Sequence, residues 1–178
     1  NPIYTEINGA LDDANIASDA AIATSKLSAD SGTSGQYWQN AGSGSTPTWV
    51  NAGVSLGGNS AGTALSTSST EYLSPVGARA PQTTDNIANG TRVLVPRDGT
   101  VKNFYVEQSG TTGGTSRVFT IVKNGTDSSI VITITTASTA GSDTSNTLSV
   151  SAGDELSIKV VPSGTPTART VAWGFEIV

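Results

Sequence analysis

The chain has 178 residues and among them no cysteine, no methionine and no histidine. Disulfides are excluded, and so are thiolate and imidazole metal sites. Only oxygen ligands remain, which leaves Ca²⁺ or Mg²⁺ as the ions such a chain would hold. The commonest general acid–base side chain and the strongest nucleophile are also missing. Catalysis would have to rest on carboxylates, hydroxyls or lysine. The expectation is a protein that is not an enzyme, with no catalytic residue, cofactor or metal. Charge is scarce too, at 13% of residues.

The net charge of −5 is unevenly placed. Residues 1–90 carry seven acids against Lys26 and Arg79, whereas residues 91–178 carry seven acids and seven bases. No basic stripe exists to neutralise phosphates, so nucleic acid is not an expected partner. No apolar run approaches the roughly 20 residues that span a bilayer, so no membrane is expected either. The first residues lack the basic start and apolar block of a secretory signal. Asn1 leads to the expectation that an initiator methionine was removed or lies upstream of this numbering.

What is abundant is Ser and Thr, together more than a quarter of the chain, with 20 glycines besides. That profile suits β-structure rich in turns, or extended segments that need not fold alone. Three zones follow. Residues 1–50 form an expected docking arm, with aliphatics at Ile3, Ile7, Leu11, Ile16, Ile22 and Leu27. Their spacing fits neither a heptad nor a strand alternation. "LDDANIASDAAIATSKL" is compatible with a short capped helix whose acids Asp12, Asp13 and Asp19 either face basic patches or are simply solvated. Tyr37, Trp38 and Trp49 stand in a Ser/Gly/Thr setting that offers them no local core. Such rings serve as interface anchors or as stacking platforms for sugars, and the anchor reading outweighs the other.

Residues 51–90 read as a Gly/Ser/Thr-rich linker or intertwined segment. Residues 91–178 change character. "SRVFTIVK", "SSIVITITT", "DELSIKVV" and "RTVAWGFEIV" alternate with the period of strands. Asn124-Gly125 between two such runs predicts a hairpin. "RDGT", "SGTTGGTS" and "SAGDE" supply further turns. Seven or eight strands at this spacing predict an antiparallel β-sandwich, jelly-roll-like, with one face of the last strand carrying Trp173 and Phe175 into the core.

Other local patterns have plainer readings. Asp12-Asp13, Asp85-Asn86 and Asp154-Glu155 lack calcium-loop spacing, and Asp154 after Gly153 reads as a turn residue. Asn89-Gly90-Thr91 and Asn124-Gly125-Thr126 match a glycosylation acceptor but are explained by turn chemistry. "GTTGG" at 110–114 lacks the Lys-Ser/Thr of a phosphate cradle.

"STEYLSPVG", "VPRDGTVKNFYVEQSG", "FTIVKNGTDSSIVITI" and "SAGDELSIKVVPSGTPTARTVAWGFEIV" together resemble a β-sandwich module of tailed-bacteriophage virion proteins, over residues 69–178. "IASDAAIATSKL" followed by "SGQYWQNAGSGSTPTWV" is similar to phage fibre and head-fibre sequences. The resemblance implies a homotrimer, a slender N-terminal region fixed to the particle and a distal sandwich facing solvent. The chain itself has no heptads to support a coiled-coil stalk. The expected function is capsid decoration as a cement or head-fibre protein. It would dock on the major capsid protein, or another virion protein, through Ile3, Ile7, Leu11, Ile16, Ile22, Leu27, Tyr37, Trp38 and Trp49. Its expected place is the virion, on the capsid surface rather than the tail. The alternative is a tail-fibre or receptor-binding tip recognising host glycan through loops 109–116 and 136–147, which lack aromatics. A carbohydrate-active enzyme ranks last.

Overall fold

The structure, a computed structural model, describes residues 36–39, 48–113 and 115–178. The chain divides into two compact units, Asn1–Val50 and Asn51–Val178. In the first, β1 (Gln36–Gln39) and β2 (Thr48–Asn51) form a two-stranded sheet.

The second unit is entirely β among its described residues. Its strands are β3 (Val54–Asn59), β4 (Glu71–Leu73), β5 (Gly77–Ala78), β6 (Val93–Leu94), β7 (Gly99–Gln108) and β8 (Ser116–Lys123). β9 (Thr126–Ile134), β10 (Ala140–Asp143), β11 (Leu148–Val150), β12 (Glu155–Ser163) and β13 (Val171–Ile177) complete it. One sheet runs β10-β7-β13-β3-β5, with β11 also on β7; the other runs β4-β12-β8-β9, with β6 on β12. All these pairs are antiparallel except β3–β5. Following β3, β4, β7, β8, β9, β10, β12 and β13, the chain changes sheet at every link except the β8–β9 hairpin. That wrapping is the jelly-roll form of the β-sandwich.

Alternation dictates the layers. On β13, Val171, Trp173, Phe175 and Ile177 are buried while Ala172 is exposed. On β9, Ile130, Ile132 and Ile134 are buried while Val131 and Thr133 are exposed. The β13 side chains meet those of β9 and its sheet neighbours Phe119, Ile121, Leu156 and Ile158 across the sandwich in one apolar cluster. Phe104 and Phe175 pack edge to face at 6.3 Å, a geometry worth about 1 kcal/mol beyond area burial. The hairpin expected at Asn124-Gly125 is present, both residues having positive φ as its tight turn requires. The chain end is fixed by mutual backbone hydrogen bonds between Val178 and Thr100.

The sandwich starts earlier than the sequence predicts. Residues 51–90, expected as a linker or intertwined segment, supply β3, β4 and β5 and the core residues Leu65 and Leu73. The reason is that β3 lies within a sheet, so backbone pairing with β13 orders it despite few apolar side chains. A glycine is required at 58, where a Cβ would stand 2.2 Å from the Gly77 carbonyl oxygen.

One end of the sandwich is closed by a buried cation. Arg117, on the inward face of β8, is fully buried. Its guanidinium donates to Gln108 Oε1 (2.9 Å), Thr167 O (2.9 Å), Ser66 O (3.1 Å) and Leu65 O (3.4 Å). Burial lowers its pKa from the ordinary arginine value, the nearby Glu71 opposes that shift, and Arg169 adds to it. Glu71 accepts the Ser66 N–H at 2.6 Å. Burial raises its carboxyl above the usual value, more than this bond and the Arg117 charge lower it.

The far edges of the two sheets are joined by Asp143 at the end of β10. Its carboxylate accepts from the Val131 N–H of β9 (3.1 Å) and from Ser145 N (3.2 Å), Asn146 N (3.0 Å) and Asn146 Nδ2 (2.9 Å). Burial works against ionisation there, but the bonds from Asn146, Val131 and Ser145 outweigh it and hold the carboxyl below the ordinary range. The same contact occupies an edge-strand donor that would otherwise be free to pair with another chain.

Arg117→Ala is expected to destabilise the sandwich by about 3 kcal/mol or more, because several buried carbonyls lose their donor at once. Lysine should restore little of it, since an ammonium lacks the planar fork that reaches these acceptors. Urea unfolding measures both; an alanine variant within about 0.5 kcal/mol of the parent, the range of an ordinary surface change, would contradict this role.

Candidate binding surfaces

Two concave surfaces stand out on the sandwich. The first is an apolar cleft of about 230 Å³ where β3 of one sheet and β6 of the other diverge. Leu156 and Ile177 lie at its base, with Val54, Leu56 and Leu94 around them and Arg97 as its charged residue. Val54 is 44% exposed and Leu94 58%. β3 pairs with β13 along Val54–Ile177 to Asn59–Ala172, but with β5 only at Gly58 and Asn59. Among the described residues, no strand pairs with 54–57 on that side. Unpaired backbone beside an apolar cleft is the arrangement that accepts an added strand.

The second surface is a shallow depression of about 470 Å³ on the outer face of the β10-β7-β13 sheet. Cross-strand register builds it. Ser142, Tyr105, Gly174 and Gly57 form one row, and Ala140, Glu107, Ala172 and Asn59 form the next. The neighbours Val106 and Trp173 point inward and are buried, so these rows face out. Tyr105 is 54% exposed. Gly174 is not demanded by packing: a Cβ there would meet nothing nearer than the Leu56 carbonyl oxygen at 3.6 Å, an ordinary contact.

The ring reaches this face through a bulge. Asn103 has φ of 55° and the β7–β13 register shifts between Gly174 and Glu176. Its side chain donates to Glu176 Oε2 at 3.2 Å. The extra residue turns Phe104 inward and Tyr105 outward.

The remaining charged contacts are structural. Arg92 binds Glu155 (2.7 Å) and Asp85 (3.1 Å), pinning the segment before β6 to β12. Lys159 pairs with Asp127 across the other sheet. Asp154 accepts the Ser151 N–H at 2.8 Å and the Asn124 Nδ2 at 2.7 Å, so it shapes the turn into β12 as its sequence context predicts. Hydrogen bonds from Ser151 and Asn124 hold its carboxyl below the ordinary range. Among the described residues no group of three or more acids is placed to hold a metal ion.

Ile3, Ile7, Leu11, Ile16, Ile22 and Leu27 lie outside the described residues. Tyr37 and Trp38 belong to β1 and Trp49 to β2. Sequence reasoning missed Tyr105 and Leu94. The Tyr105 signal was obscured because "NFYV" gives no sign of the bulge that sets which ring faces out.

No family model matches the chain, and no curated protein matches it.

The cleft should bind an apolar fluorescent dye such as anilinonaphthalene sulfonate. The double variant Val54→Asp, Leu94→Asp is expected to cut the dye signal severalfold while changing stability little, since both side chains are substantially exposed. Undiminished dye fluorescence from the folded variant would mean that the cleft is not the apolar site.

Proposed function

We propose that this chain is a virion structural protein of a tailed bacteriophage, a capsid-decoration or head-fibre protein. Residues 1–50 dock it on the shell, with the major capsid protein or another virion protein as partner, and the sandwich of residues 51–178 projects outward. The assembly is a homotrimer. The observation that supports this reading best is that the sandwich core is drawn from Leu65 to Ile177. In this reading residues 1–50 serve attachment and the residues that follow form the core. The sequence resemblance to phage fibre and head-fibre proteins points the same way, and so do the aliphatic side chains spread over Ile3 to Leu27. Decoration of this kind acts mechanically, by bridging shell subunits through added apolar burial and strand pairing.

A second reading is a tail-fibre or receptor-binding tip that recognises host glycan. One observation favours it, the exposed ring of Tyr105 in a dish on the outer sheet face.

Deletion of residues 1–50 tests the first reading. The truncated protein is expected to keep the β circular dichroism and cooperative unfolding of the full chain while losing co-sedimentation with phage heads lacking the protein. A truncated sandwich that still coats those heads would place the docking surface on the sandwich and overturn the assignment to the arm.

A further inference from the structure

We propose that the depression around Tyr105 is a saccharide-binding site that takes a neutral hexopyranose unit. The inference deepens the second reading above and rests on it only for the biological source of the sugar.

Ring, floor and rim each contribute a separate requirement. The half-exposed phenol ring of Tyr105 offers a flat apolar surface against which the C–H face of a pyranose stacks. Beside it, the row Tyr105–Gly174–Gly57 leaves the backbone of β13 and β3 without side chains above it. Gly57 has a packing reason, because a Cβ there would approach the Trp173 carbonyl oxygen to 3.0 Å. Gly174 has none, so its bareness keeps the floor low where a ring edge would lie. Around this floor, Ser142 and Glu107 line the depression and supply a hydroxyl and a carboxylate. These are the acceptors and donors that sugar hydroxyls need, and a carboxylate gives the stronger, charge-assisted bonds.

Size and charge narrow the ligand. About 470 Å³ lies within the range of small-ligand sites and is too small for more than a short oligosaccharide. Glu107 borders the dish, and Glu176 follows two residues after Gly174 on the same strand. Glu176 is paired across the strands with Lys102, so Glu107 is the acid that disfavours uronic or sialic acids, and the unit recognised is uncharged. A packed protein partner is a poorer fit, since the dish joins a single exposed aromatic to a polar, acidic rim in place of an apolar centre. Binding through one such dish is weak, in the millimolar range, and gains strength when several copies engage one polysaccharide.

The full-length chain in solution provides the test, by ¹H–¹⁵N correlation spectra during titration with methyl glucoside, methyl galactoside, N-acetylglucosamine and glucuronic acid. At least one neutral sugar should shift amides clustered at 105–107, 140–142 and 172–174, and glucuronic acid should bind more weakly. Tyr105→Ala should weaken binding about tenfold with the rest of the spectrum preserved. Gly174→Val, which raises the floor, should do the same, whereas Val131→Ala on the other sheet should change nothing. Absence of shifts at this face at tens of millimolar sugar, or binding that survives Tyr105→Ala, overturns the proposal. So does a Tyr105→Ala variant that alters the sedimentation coefficient and leaves sugar shifts intact, which would make the dish a protein interface. No particle enters the experiment, so failure here leaves attachment through residues 1–50 standing, and failure of that attachment leaves this site untouched.

Discussion

A single buried guanidinium, that of Arg117, holds together the end of the sandwich from which three long loops emerge. Those loops are poor in apolar side chains and could not order themselves by hydrophobic burial. The guanidinium substitutes for that burial by offering donors to carbonyls of residues 65–66 and 167 and to the Gln108 amide. Around it the loops stitch to one another, through Leu65 N to Arg169 O, Thr167 N to Thr112 O and Arg169 Nε to Thr111 O. A buried cation is costly to desolvate and stabilises only when its donors are well used. Here the cost is offset by four acceptors from three chain segments and by the nearby acid Glu71.

With that end closed and Asp143 joining the far edges, the sandwich can afford surfaces that are bare or open elsewhere. The cleft between β3 and β6 leaves Val54 and Leu94 exposed, and the outer face around Tyr105 is floored with glycine and alanine. Neither surface is required by the core, which is assembled from inward residues of both sheets. Under the proposed function, the core that follows Asn51 belongs to the displayed domain, and the aliphatic, acidic segment before it is the docking arm.

Much of the sandwich was legible because strand alternation is a strong signal when both faces differ. "SSIVITITT" and "RTVAWGFEIV" give their buried faces directly, and Asn124-Gly125 gives its turn. Eight strands are found between residues 93 and 177, within the span where seven or eight were expected. β3 was illegible because only Val54 and Leu56 mark it, and long-range pairing with β13, which no local pattern encodes, supplies the rest. Arg117 was readable in principle: it shares the parity of Phe119 and Ile121 on β8, but a charged residue in an inward position is discounted until its partners are known. Tyr105 depended on the bulge at Asn103. Asparagine tolerates positive φ, yet nothing in "VKNFYV" says that it uses it.

Arg117 organises the loop end only if the loops it binds are part of the cooperative fold. Native-state hydrogen exchange of the full chain, followed amide by amide, reads this directly. The Leu65 and Thr167 amides, on segments whose carbonyls bind Arg117, should exchange with opening free energies within about 1 kcal/mol of the core amides of β8 and β12. If they exchange like free loops while those strands stay protected, the guanidinium does not organise this end.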